Sequence, residues 1–329
     1  MKSFLARRWF LLLLVVGLAV AGWRPDWLRP AVERLPPRAV VALALFLMAW
    51  GLDSRSLGRS LLRPLPALWA VAISYGALPA LAYLAGRLMP ADALRIGLMI
   101  SASVPCTLAS AVLWTRMAGG NEATALLVIV LTTSTSWLAT TLWLVAGTGT
   151  TVAVDAAPLM RDLMLCLIVP VGLGQLGRTI GPLATLVTRC RKAVGVIAQL
   201  LIFSIIMKAA VGVHDGLNGQ AAAFSAGALA TAAAVCVGTH LAALAAGFWS
   251  GSLFGFDRPS RIAIAFAGSQ KTLPVALLLL EGYFKEYPLA VVSLLFYHVG
   301  QLVVDTFIAD GLARRKPAAI GLPPEALVE

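Results

Sequence analysis

The apolar positions of this chain come in continuous runs, each near the ~20 residues that cross the hydrocarbon of a bilayer, with short polar turns between them. The first run is Trp9 to Val20, and the rest cover about 37–52, 65–89, 94–117, 122–147, 157–180, 193–213, 220–248, 260–282 and 287–311. This pattern predicts an all-α polytopic membrane protein with ten transmembrane helices. The separators at 53–63, 178–192 and 256–261 are short and basic or carry Pro and Gly, and no loop has the length of a soluble domain. Lys2, Arg7 and Arg8 before the first run and Ala-Val-Ala at 19–21 also have the layout of a signal peptide; Trp23 and Arg24, directly after it, favour an uncleaved helix. Cleavage would leave nine crossings without moving the later ones.

One octet interrupts the pattern. Ala267-Gly-Ser-Gln-Lys-Thr-Leu-Pro274 lies inside an otherwise apolar run from Ile262 to Leu280. A lysine at the centre of a membrane-length segment costs about 2.5–3.5 kcal/mol to insert, so polar groups must receive it. Gly268 and Pro274 on either side of Gln270-Lys271 predict a broken helix near 268–271, with backbone groups free to bind a solute.

Composition places the chain outside the soluble range: 60% of its 329 residues are hydrophobic and 12% charged, against about 25% charged in soluble domains. The net charge of +11 sits in short clusters between apolar runs, which fits loops facing an anionic leaflet and excludes a nucleic-acid stripe or arm. With a cytoplasmic N-terminus, the inner side gathers Lys2, Arg7 and Arg8; Arg55, Arg59 and Arg63; Arg116; Arg178, Arg189, Arg191 and Lys192; Arg258 and Arg261; and Arg314, Arg315 and Lys316, a two-to-one excess over the outer side. That bias predicts both termini in the cytoplasm, Ser3 and Ala318 inside, and Asp155 and Asp215 outside, in a plasma (bacterial inner) membrane. Cys106, Cys166, Cys190 and Cys236 show no CxxC or metal spacing, so neither disulfides nor a metal site are expected.

Ten segments divide into two sets of five, and an odd number per half makes the halves antiparallel. The expected units are 1–150 and 151–313, two inverted five-helix repeats, followed by a tail at 314–329. The fourth segment carries Ser101-Ala-Ser-Val-Pro-Cys-Thr107, and its counterpart, the ninth, carries the Gln270-Lys271 stretch. Pro105 and Lys271 both lie ten to 13 residues from the polar ends of their segments, which at about 1.5 Å per residue is the bilayer midplane. Thr132-Thr-Ser-Thr-Ser136 on the fifth segment, and His298 and Gln301 on one face of the tenth, reach the same level; Asp305 shares that face, nearer the cytoplasm, and is expected to face a vestibule there.

The runs Val104-Pro-Cys-Thr-Leu-Ala-Ser-Ala-Val112, Gly119-Gly-Asn-Glu-Ala123, Gly268-Ser-Gln-Lys-Thr-Leu273 and Tyr297-His-Val-Gly-Gln301 resemble those of the bile acid:sodium symporter family, in order and over nearly the whole chain. The likeness is greatest to its lysine-bearing branch, which includes the orphan seventh member of the mammalian solute carrier ten family. The resemblance implies discontinuous, crossing fourth and ninth helices, a six-helix core beside a four-helix panel, and alternating access. It also implies a sodium cage, which is incomplete in this chain. Ser110 stands for the serine of the family's Ser-Asn pair, but Ala111 takes the asparagine's place; Gln270 stands for the glutamine, but Phe266 takes the glutamate's. An asparagine expected on the fifth helix of the lysine branch falls on Val128.

The candidate substrate- or ion-binding residues are therefore Ser103, Pro105, Thr107 and Ser110; Asn121 and Glu122, which also suit a helix start; Thr132 and Thr133, in a run otherwise read as interhelical hydrogen bonding; Ser269, Gln270, Lys271 and Thr272; and His298 and Gln301. Lys208 is read as snorkelling and His240 as a packing histidine. No HExxH, GxSxG, Walker or GxGxxG motif stands in its required context, so no enzyme site is visible. The sequence predicts a secondary transporter of a small organic solute. An anion is favoured, because a fixed cation and half-helix N-termini both attract negative charge. No cofactor is expected; sodium and the proton are both open as coupling ions, and whether Lys271 stays charged is open too. The rival readings are an ion or proton exchanger of the same fold and a non-transporting membrane regulator.

Overall fold

A computed structural model describes residues 9–52, 61–149, 154–220 and 225–314. These residues form helices and no strand. In chain order they are α1 (Trp9–Trp23), α2 (Pro25–Val32), α3 (Pro37–Gly51), α4 (Leu65–Leu88), α5 (Asp92–Ser103), α6 (Ser110–Met117), α7 (Glu122–Thr148) and α8 (Ala156–Thr179), then α9 (Gly181–Arg189), α10 (Arg191–Gln220), α11 (Ala226–Leu253), α12 (Arg258–Ser269), α13 (Leu273–Tyr283) and α14 (Ala290–Arg314). Seven spans among the described residues are long and apolar enough to cross a membrane: α4, α7, α8, residues Arg191–Gly212 of α10, α11, α12 with α13, and α14. Leu12–Trp23 and Pro37–Gly51 are apolar but shorter, and the predicted fourth segment is divided between α5 and α6. Ser3, Ala318 and the tail beyond 314 lie outside the described residues, as do Arg55 and Arg59.

Local chemistry sets the helix ends. Asn121 accepts from the N–H groups of Ala123 and Thr124, Asp155 from Ala157, Ser225 from Ala228 and Asp257 from Ser260, each satisfying donors that a helix start leaves unpaired. The Gly119-Gly-Asn-Glu-Ala123 motif reads as a tight turn in three steps. Gly119 is left-handed (φ 75°), Gly120 leaves no room for a Cβ against Ile262 and Thr115, and Asn121 caps α7 while donating its own N–H to the Pro259 carbonyl.

Two groups of helices emerge from the packing. In one, α10 lies against α1 and α3, and α3 against α8. In the other, α4 to α7 pack with α11 to α14 around the α12–α13 pair, and every residue from 262 to 280 is buried. Close approach depends on small residues: a Cβ on Gly97 of α5 would lie 2.1 Å from the Ala290 carbonyl oxygen of α14. Lys208, expected to snorkel, extends its ammonium to the Leu35 carbonyl at 2.7 Å and the Glu33 carbonyl at 3.3 Å, acceptors in the turn that follows α2.

Candidate functional site

Both predicted interruptions exist, and they touch. Pro105 forces Val104 into an extended conformation (ψ 161°), ending α5, and the chain is non-helical until Ser110. In the other half, Pro274 would set its ring against the Gln270 carbonyl in a continuous helix. The chain accordingly leaves the helix at Gln270 (ψ 139°) and re-enters after Thr272 (ψ 117°). The N–H of Thr272 donates to the Pro105 carbonyl at 3.1 Å, joining the two breaks through their backbones. The break is narrower than the sequence suggests, because Gly268 is still helical. Its role is contact: a Cβ there would sit 3.3 Å from the Ala70 carbonyl oxygen and 3.2 Å from Ile73.

Lys271 is 2% exposed, and its ammonium has three acceptors for its three protons: the Ser74 carbonyl at 2.8 Å, the Ser74 hydroxyl at 2.9 Å and the Val104 carbonyl at 2.8 Å. The Tyr75 ring lies beneath it, 4.8 Å to the centroid. Each carbonyl is available for a sequence reason. Val104 ends α5. Ser74 belongs to a π turn, Ile73–Ala77, in which the Leu78 N–H goes to the Ile73 carbonyl, and the next residue, Pro79, has no N–H to offer. Tyr75, freed in the same way, accepts the indole N–H of Trp143.

The backbone of Lys271 is clamped from α14. Its N–H donates to Gln301 Oε1 at 3.0 Å, and Gln301 Nε2 donates back to its carbonyl at 2.8 Å while lying 3.0 Å from His298 Nδ1. Gln270 reaches the other way: Oε1 accepts from Thr107 at 3.0 Å and Ser110 at 2.8 Å, and Nε2 donates to Asp305. Thr132 receives the Cys106 N–H at 3.3 Å.

One network therefore holds Pro105, Thr107, Ser110, Thr132, Ser269, Gln270, Lys271, Thr272, His298 and Gln301. Ser103 and Thr133 are buried nearby with unpartnered hydroxyls, although the Ser103 carbonyl accepts from Thr140. The hydroxyl run on α7 differs from expectation: Thr132, Thr135 and Ser136 all donate to carbonyls of their own helix, the partners nearest in chain. Asn121 and Glu122 stand apart, at the start of α7, where Glu122 pairs with Arg116. They line a cavity of about 940 Å³ together with residues 62–66, 123–124, 255–257 and Ser260. Asp305 faces no vestibule; it is fully buried, bonded to Gln270 and to His240 of α11. Ser74, Tyr75 and His240 are absent from the predicted site. Pro79, five residues after Ser74, was the readable sign of the first two, and intramembrane ionisable character that of His240.

At two positions of the expected sodium cage, the side chains offer no oxygen. Phe266 is buried in an apolar cluster with Trp114, Leu244 and Ile262, and Ala111 contributes only its N–H, to Thr107.

Comparison with known proteins gives a consistent picture. The SBF-like CPA transporter family matches residues 8–314. The chain is similar to a probable sodium/metabolite cotransporter, BASS4, chloroplastic, of Arabidopsis thaliana, 30% identical over 70% of this chain and 54% of that protein. It is also similar to sodium/bile acid cotransporter 7 of Danio rerio, 25% identical over 66% of this chain and 64% of that protein. The BASS4 protein of Oryza sativa subsp. indica is 27% identical over 67% of this chain and 55% of its own length. The chain thus spans roughly half to two thirds of these relatives.

Proposed function

The chain belongs to the SBF-like CPA transporter family, and from that premise we propose that it is a secondary transporter of a small organic anion that works by alternating access without a sodium ion. The observation that carries this reading is the saturated coordination of Lys271. Two carbonyls and a hydroxyl surround its ammonium at 2.8–2.9 Å, where the two breaks meet, an all-oxygen shell of the kind a bound cation needs. The tethered charge holds Val104, Ser74 and the backbone of both breaks in place, a structural task that a bound ion would otherwise have to perform there. The solute's negative charge is favoured by the starts of α6 and α13: α13 carries no side-chain cap, and at α6 the Thr107 hydroxyl takes only the Ala111 N–H, so N–H groups remain directed at the breaks.

In this reading the chain crosses the membrane ten times, with α5–α6 and α12–α13 each counting as one broken crossing, in two inverted repeats at 1–150 and 151–313. The α1, α3, α8 and α10 group, with the short α2 and α9 packed on it, is the panel, and α4 to α7 with α11 to α14 are the core that moves against it. The cavity supports the assigned sidedness. Three chain segments that the charge bias puts in the cytoplasm, at 62–66, 120–124 and 255–260, line it together. Both termini are then cytoplasmic, in the plasma (bacterial inner) membrane.

The test is uptake of an organic-anion panel, bile acids and smaller carboxylates and sulfates, into proteoliposomes with sodium replaced by potassium or choline. Saturable uptake undiminished by the replacement is the expected result. A sodium requirement would remove the proposed role of Lys271, and the absence of any saturable flux across the panel would favour the regulator.

A further inference from the structure

A second polar centre lies on the far side of Gln270 from the lysine. His240 is fully buried, and both nitrogens of its ring face acceptors: Nδ1 is 3.3 Å from the Ser269 carbonyl oxygen, and Nε2 is 2.8 Å from Asp305 Oδ1. The same Ser269 carbonyl receives the Tyr297 hydroxyl at 3.0 Å, and the other carboxyl oxygen of Asp305 receives the Gln270 amide. Neither His240 nor Asp305 enters the function proposed above.

A neutral imidazole carries one N–H and cannot donate to two acceptors. Beside an ionised Asp305, it would turn a nitrogen lone pair either to the carboxylate or to the Ser269 carbonyl, and one contact would become repulsive. One further proton resolves this in either of two ways. An imidazolium donates to both oxygens, or a protonated Asp305 donates to Nε2 while Nδ1–H donates to Ser269. Both arrangements are net neutral, and a charge at this depth without a partner is costly. We infer that His240 and Asp305 together form a proton-binding site, and that its proton sets the arrangement of the α12–α13 break through Ser269 and Gln270. Ser269 is the last helical residue of α12 and Gln270 the first of the break, so a repulsion created by proton loss falls on the hinge itself. Gln270 passes it to Thr107 and Ser110 in the other break. The step is a proton transfer from the pair to water and back, with no change of oxidation state.

The surroundings leave this pair as the proton holder. Asp305 acts electrostatically on Cys106 of the α5–α6 break and on Tyr297 of α14, and Cys236 of α11 also acts on Tyr297 while donating to the Ser293 carbonyl. Lys271 and His298 face the opposite side of the break, where α4 contributes Tyr75. Other charges on neighbouring helices are engaged elsewhere: Arg95 with Asp92 on α5, Arg116 of α6 with Glu122, Arg258 and Arg261 of α12 with the Leu312 and Phe248 carbonyls, and Lys208 of α10 with the Leu35 carbonyl, while Glu281 lies at the far end of α13 near Lys208 and Lys285, and Asp310 and Arg314 lie at the far end of α14. That the proton drives transport rests on the transporter reading; that the pair binds it does not.

The experiment is nitrogen-15 NMR of histidine-labelled full-length protein in lipid nanodiscs, titrated from acid to alkaline pH. His240 is identified among the three histidines by loss of its signal in His240→Gln. Hydrogen exchange at 266–275 is followed in parallel. The expected result is a His240 ring with both nitrogens hydrogen-bonded at low pH, loss of one proton from the pair as pH rises, read as a change in the ring nitrogen signals, and a several-fold loss of exchange protection at 266–275 over the same range after correction for intrinsic rates. Asp305→Asn abolishes both changes, leaving a ring with one proton throughout, and Asp305→Glu restores the titration. A ring whose two nitrogen signals stay the same at every pH in the unmodified protein overturns the proposal, as does an unaltered titration in Asp305→Asn; should that variant fail to fold, the unmodified protein decides alone. A titrating pair in a protein without solute flux keeps the site and removes the transport reading, whereas solute flux with ring nitrogen signals that never change with pH removes the site alone.

Discussion

At the scale of single residues, Lys271 is held by position as much as by charge. Lys271→Met keeps the apolar length but leaves the Ser74 and Val104 carbonyls buried without a donor, a loss of about 1–3 kcal/mol for each. The expected outcome is no uptake by proteoliposomes and a lower unfolding temperature; full activity in Lys271→Ala or Lys271→Met would end the argument. Pro79→Ala tests the same contact from the other side. The new N–H offers Ser74 and Tyr75 a helical partner, so helix stability is expected to rise, by up to about 3 kcal/mol, while flux falls because the Ser74 carbonyl no longer points at the ammonium. Measured together, thermal unfolding and uptake should move in opposite directions. Lys271 itself was legible because a charge in a membrane-length run is costly wherever it goes. Its receiving groups were not. A π turn on α4 meets the lysine across 197 positions of chain, and nothing in local spacing carries that information. His240 and Asp305 escaped for a related reason: helical periodicity gives the face a residue occupies, not what packs on that face.

At the scale of elements, the two breaks were readable because proline acts locally. Pro105 fixes Val104, and Pro274 forbids a helical Gln270, whatever surrounds them. Gly268 misled because glycine marks both helix breaks and close contacts, and only the neighbouring helix decides between them. The fit of α5 against α14 is tighter still, so Gly97→Ala is expected to destabilise by about 1–3 kcal/mol, with the Ala290 carbonyl displaced. Thermal unfolding in detergent measures this, and an unchanged midpoint would contradict the packing. Thr135 and Ser136 bond only within their own helix, so Thr135→Ala and Ser136→Ala should cost under about 1 kcal/mol each and leave helix association intact.

Across the whole molecule, the cavity at one end is matched by a latch at the other. Asp162 of α8 accepts from Arg38 of α3 at 2.8 Å and from Tyr283 of α13 at 3.0 Å, tying the smaller helix group to the larger one. Arg38 is 61% exposed, so this pair is worth well under the roughly 3–5 kcal/mol of a buried one and is suited to release. Asp162→Asn is expected to favour opening at that end. The measurement is alkylation of Cys106 by an impermeant maleimide in a protein whose other three cysteines are alanine, with faster labelling from the outer side than in the parent; an equal rate would mean that the latch gates nothing. The oxygen shell around Lys271 has a further consequence, which concerns work rather than structure. A sodium ion that crosses with a solute delivers the free energy of its own gradient, once per turnover. A cation anchored to the chain returns with it every cycle and delivers none. Steady-state accumulation of solute must then draw on the membrane potential, a counter-gradient or the proton, and with all three clamped to zero the solute should come to equal concentration on both sides and go no further.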